Sequence, residues 1–139
     1  MENERQFLVP FAELVDRLTV DQIKEVLLQA DKKSFADEMK RISHDIDLIV
    51  KQRQITLSAR LLRIVAALAQ MNLHIWYLKD KMQEDETHYN DLLKKAHQLN
   101  GIRNRLKNLL LEEVGEKEKA SERSNFNTDG LEGWDVSIS

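Results

Sequence analysis

The chain has no cysteine, one proline and only four glycines among its 139 residues. Without cysteine it forms no disulfide and supplies neither a thiolate nucleophile nor a cysteine-ligated zinc or iron–sulfur centre. So little proline and glycine leaves too few turn residues for an all-β fold. Also missing is the basic flank and long apolar region of a secretory leader: MENERQFLVPF is polar before a very short apolar patch, so a cytoplasmic location is expected. Histidine is scarce too, and no Glu-x-x-His repeat occurs, which removes the usual ligand pattern of a di-metal helical bundle. No metal and no cofactor is expected.

Charge of one sign is lacking over most of the chain. The net charge of −3 comes from residues 116–139, where Lys117, Lys119 and Arg123 face Glu116, Glu118, Glu122, Asp129, Glu132 and Asp135. The remaining body is neutral and offers no general attraction to a phosphate backbone. Arg103, Arg105 and Lys107 form one local basic group, which reads as a solvated helix face, and nucleic acid is not an expected partner.

What the sequence does have is apolar residues at helical spacing. Leu61, Ile64, Leu68, Met71, Ile75, Leu78 and Met82 recur at intervals of three and four, one stripe of a helix over 57–84. Leu57, Leu62, Val65, Ala69, Asn72 and Trp76 widen the stripe beyond what a two-stranded coiled coil needs. Arg60, Arg63, His74, Lys79 and Asp80 argue against a membrane span, which wants about 20 nearly uncharged residues.

The other segments read as partners of this helix. Phe11, Leu14, Val15 and Leu18 make a short helical segment with Pro10 in its first turn. Thr19-Val20-Asp21-Gln22 has the form of a capping box and predicts a separate helix from Thr19, carried on by Ile23, Val26 and Leu27. Ser34 is the expected cap of a helix using Phe35, Met39, Ile42, Ile46, Ile49 and Val50. Thr56 or Ser58 is expected to cap the central helix, and Thr87 a last one using Leu92, Leu99, Ile102, Leu106 and Leu110. Gly115 should stop that helix, while Gly101 within it allows close approach of a neighbour.

The predicted fold is all-α: a mostly antiparallel four-helix bundle with a long helical hairpin, a short N-terminal segment and a flexible C-terminal tail. The bundle domain takes residues 1–115 and the acidic tail 116–139. Within the tail, Trp134, Val136 and Ile138 alternate as in an edge strand or a short docking motif.

Two constellations carry chemistry in principle. Glu112-Glu113-x-x-Glu116 followed by Glu132-x-x-Asp135 resembles the carboxylate signature of the all-helical, magnesium-dependent nucleotide pyrophosphohydrolases. Gly115, Gly130 and Gly133, however, break the continuous helices such acids require. The second is a polar seam inside the apolar faces: Asn72, Trp76 and Asp80 at spacings of four, and Asn100, Arg103, Asn104 and Lys107 at three and four. In an antiparallel hairpin these face each other. They make either an internal hydrogen-bond network that fixes helix register, or a polar pocket walled by Trp76 for a sugar or a small anion.

NLHIWYLKDKM followed by LNGIRNRL also resembles an uncharacterised all-helical bacterial family with an Asn, an Ile-Trp and a nearby Asp, then Leu-Asn-x-x-Arg. The resemblance covers about residues 11–114 and falls on Asn72, Trp76, Asp80, Asn100 and Arg103; LVDRLTVDQIK is similar to an N-terminal motif of some relatives. Lys79 departs from the acidic residue many relatives carry there. Because such genes often lie among those for surface polysaccharides and glycosyltransferases, the resemblance implies an accessory role in polysaccharide assembly. The expected function is thus that of a non-enzymatic helical interaction protein with a protein partner or a second copy of itself. A binder of a small molecule or glycan precursor is the alternative.

Overall fold

The computed structural model describes residues 3–116 and 136–138. Four helices make up the fold: α1 Phe11–Leu27, α2 Lys32–Gln52, α3 Ala59–Glu84 and α4 Tyr89–Glu113. No strand occurs among the described residues. The architecture is therefore all-α, as the apolar periodicity predicts, and it consists of two antiparallel hairpins, α1–α2 and α3–α4.

α1 lies between the two hairpin partners of the fold. It packs on α2, on α3 and on α4, whereas α2 runs alongside α1 alone among the helices. This differs from a pair of short helices laid on a central hairpin. The reason is the distribution of small and apolar residues around α1: Phe11, Ala12, Leu14, Val15, Asp16, Thr19 and Asp21 are all buried, which covers most of its circumference. Ile64, Leu68, Leu99, Leu106 and Leu110 meet them from α3 and α4, and Ile42 and Ile49 from α2. Of the expected core stripes, Leu92, Ile46 and Leu78 are half-buried rather than buried.

α1 is one continuous helix, so the predicted break at Thr19 is corrected. Thr19 does not cap a new helix; its hydroxyl donates to the Asp16 carbonyl at 2.7 Å, a back-bond that lets threonine sit in a helix interior. Pro10 is the residue before the helix rather than inside its first turn. The Phe11 N–H, unsatisfied within the helix, donates to the Glu116 carboxylate at 3.2 and 3.3 Å. α2 begins at Lys32, ahead of the predicted cap Ser34, with Asp31 in the left-handed region at φ 63°. Ser58 caps α3, accepting the Leu61 N–H at 3.1 Å. Thr87 does not cap α4. Asp85 instead accepts the His88 N–H at 3.2 Å and meets its ring Nδ1 at 2.8 Å. Gly115, at φ 76°, follows the end of α4 as expected.

Two further segments close the fold. Asp45, fully buried on α2, accepts the N–H groups of Gln6 and Phe7, each at 2.7 Å, and so straps the N-terminal segment down. The Phe7 ring then lies between the guanidinium groups of Arg17 and Arg41, at 6.0 and 5.5 Å. At the other end, Ile138 is buried, its carbonyl accepting from Arg105 at 2.8 Å, while Arg63 donates to the Ser137 hydroxyl at 3.1 Å. The described end of the tail is thus held on the α3–α4 hairpin. Trp134 and the acids Glu132 and Asp135 lie outside the described residues.

Candidate functional site

The polar seam converges on a residue of α1 that no motif marked, Asp16. LVDRLT places Asp16 one turn from Ala12 and Thr19, on the face of α1 directed at the hairpin. Its carboxylate is 2% exposed as a residue and takes four groups. Arg103 Nε donates to Oδ1 at 2.9 Å and Arg103 Nη2 donates to Oδ2. Asn72 Nδ2 donates to Oδ1 at 2.8 Å and to the Thr19 hydroxyl at 2.8 Å. The Lys107 ammonium pairs with Glu13 and stands 3.9 Å from Oδ2. Arg103 Nη1 also donates to the Asn100 side-chain Oδ1 at 3.2 Å.

Burial alone would raise the Asp16 carboxyl, but the Arg103 hydrogen bond and charge, with Asn72 and Lys107, outweigh it and hold the pKa below the ordinary value. Burial likewise works against the Arg103 cation, and Asp16 more than compensates, so the guanidinium is held charged more firmly than usual. The result is a carboxylate and a guanidinium fixed in opposite charge, with no proton to give or take near neutrality. Such a pair orients helices. It is a poor acid or base.

Of the sequence-predicted seam, Asn72, Asn100, Arg103 and Lys107 come together here. Asp80 is exposed, two turns of α3 beyond Asn72, and does not join; Trp76 and Asn104 are half-buried outside the network. Asp16 replaces Asp80 as the anion because α1, not the α3–α4 seam, brings a carboxylate within reach of Arg103. The signal for it was present: an Asp between Val15 and Thr19 on an apolar helix has to find donors.

The other candidates are also occupied internally. Glu113 pairs with Arg60 at 2.8 Å, and Glu116 takes Arg53 and the Phe11 N–H. The basic group Arg103, Arg105 and Lys107 is turned onto Asp16, Ile138 and Glu13, so it is not the solvated face expected. Among the described residues no group of three or more His, Asp or Glu is placed to hold a metal ion. A cavity of about 610 Å³ opens at the N-terminal end of α1, lined by Arg5, Leu8, Val9, Pro10, Arg53, Gly115 and Glu116. It stands apart from the Asp16 network.

One more feature belongs to the surface. The charged residues Arg60, Arg63, Lys79 and Asp80 lie toward the ends of α3. An 18-residue window of that helix reaches mean hydropathy 1.3, long and apolar enough to cross a membrane by length and composition, and only 33% of the window is buried inside the fold. Asn72 in this helix is buried and hydrogen-bonded to α1, as in a core helix. The uncovered remainder carries Leu62, Ala66 and Tyr77 on its surface together with the polar Arg63 and Gln70. The fold is all-α, and its buried Asp16 carboxylate is paired internally with Arg103, Asn72 and Lys107. The chain matches no protein-family model, no curated protein and no solved structure.

Proposed function

We propose that this chain is a non-enzymatic helical interaction protein that presents one flank of α3 to a protein partner. The observation that carries this is the incomplete cover of α3. Its core stripe is packed on α1 and α4, yet Leu62 is 54% exposed and Tyr77 51%, and Val65, Ala69, Leu73 and Trp76 keep part of their surface open. Single exposed apolar residues mean little, but a continuous row along one helix marks an interaction surface. The closed Asp16 network favours this reading over a ligand pocket at the polar seam, since its donors and acceptors already satisfy one another. An accessory role in bacterial surface-polysaccharide assembly is proposed on the sequence resemblance alone.

The test places a photo-crosslinking phenylalanine at Leu62, with Lys40 on the exposed side of α2 as control. Protein adducts in cells from position 62 and none from position 40 are expected. Equal adducts from both, or none from either, would sink the proposal.

A further inference from the structure

Resting on that reading of the α3 flank, we propose that its partner is a second copy of the same chain, docked through an antiparallel α3–α3 contact with its two-fold axis at Ala69. The flank is self-complementary. Leu62, Val65, Ala69, Leu73 and Trp76 follow one another at spacings of three, four, four and three, a pattern that reads the same from either end. A two-fold axis brings each residue onto its mirror position in the partner. Leu62 then faces Trp76, Val65 faces Leu73, and Ala69 faces Ala69. The smallest side chain falls where the helices cross and lets their axes approach to about 8 Å, while the larger ones interlock on both sides.

Charge complements the same register. Asp80 lies eleven residues beyond Ala69 and is exposed; Ser58, the cap of α3, lies eleven residues before it. Antiparallel docking sets each Asp80 beside the partner's α3 N-terminus, where unpaired N–H groups and the helix dipole favour an anion. Between Ser58 and Asp80 the row carries no charge at all, so no buried ion opposes the contact. A parallel pair would instead put Asp80 against Asp80 and Trp76 against Trp76.

Among the described residues no other helix takes this flank. α1 and α4 take the core stripe of α3, and residues 136–138 line a cavity with Arg63, Ala66, Ala67 and Gln70, none of them in the row. A single helix–helix seam falls short of the roughly 800 Å² per partner typical of a stable complex, so the dimer should be reversible, with a Kd on the order of 1–100 µM.

Sedimentation equilibrium of the purified full chain over that concentration range is expected to show reversible association to twice the 16.3 kDa chain mass. Ala69→Arg should leave a monomer with unchanged helicity and melting; Leu73→Glu serves if that variant misfolds. The absence of native cysteine makes register directly readable. Under mild oxidation Ala69→Cys should link to itself, and a mixture of Leu62→Cys and Trp76→Cys should form the mixed dimer ahead of either self-pair. A monomer at all concentrations, a dimer indifferent to Ala69→Arg, or preferred Leu62→Cys self-linking would overturn the proposal. So would binding to anionic phospholipid vesicles by a monomeric chain that Leu73→Glu abolishes, which assigns the flank to a lipid surface. If the chain is monomeric yet Leu62 cross-links to a protein of another mass, self-pairing fails and the interaction reading stands.

Discussion

Arg103 on α4 grips Asp16 on α1 with two nitrogens, Nε on one carboxylate oxygen and Nη2 on the other. A two-point fork of this kind fixes orientation as well as distance, so it sets how α1 lies on the α3–α4 hairpin. Arg103→Ala leaves the buried Asp16 carboxylate without its principal counter-charge. Breaking a buried pair costs about 3–5 kcal/mol, and the remaining Asn72 and Lys107, with Arg103 a quarter exposed, bring the expectation to about 2–3 kcal/mol. Urea denaturation measures it; a shift below 0.5 kcal/mol would show the pair to be ornamental.

The same carboxylate makes stability depend on acid. Its folded pKa is depressed below the ordinary value of about 3.9, so its contribution is complete above that value and is lost as pH falls through the folded one. Asp16→Asn should therefore destabilise the protein at pH 7 and remove part of the loss of stability that sets in as pH falls below about 4. Thermal melts of both proteins across that range supply the check.

Asp21 behaves in the opposite sense. Burial and the Glu38 carboxyl of α2 push it up to about 6, with Lys24 and Arg17 pulling the other way. A raised carboxyl favours folding while it is protonated and opposes it once charged, so stability should decline from about pH 4 to pH 6 on this account. Asp21→Asn removes the opposition. We expect its melting temperature above wild type at pH 8, by about 1–2 kcal/mol of stability, and the gain to vanish near pH 4. A gain that persists at pH 4 would mean the effect is packing, not titration.

Core and surface positions should separate cleanly along α3 and α1. Leu68 is fully buried, so Leu68→Ala should cost about 2–5 kcal/mol. Val26→Ala, at a residue 65% exposed, should stay within about 0.5 kcal/mol. Equal shifts in a chemical melt would contradict the packing described.

At the end of α4, Gly115 adopts φ 76° with open space where a Cβ would stand. The cost of Gly115→Ala is then backbone strain alone, about 1 kcal/mol, and Gly115→Asn should recover part of it. Truncation after residue 135 removes the buried Ile138 and its carbonyl's bond to Arg105. Its expected cost is about 1–3 kcal/mol. An unchanged melt would return the tail's end to the free arm that its composition suggests.

Local pattern by itself determined the helices. Three-and-four spacing located α2, α3 and α4 within a few residues, because the period is imposed by backbone geometry and holds wherever one face is buried. Ser58 and Gly115 were likewise legible as punctuation, since a cap or a left-handed residue acts within one turn of the chain. Where local chemistry offered two outcomes, the sequence reading went astray. Thr19 can cap a helix or bond back within one, and only burial of α1 against α3 favoured the second. Asn72 and Arg103 were readable as polar groups in need of partners, but not as partners of Asp16, which is 56 and 87 positions away. That choice belongs to tertiary structure, because an ion pair is decided by which helix faces stack, and stacking sums small contacts from the whole core. α1 took the central place, and with it supplied the anion, left α2 outboard and left one flank of α3 uncovered.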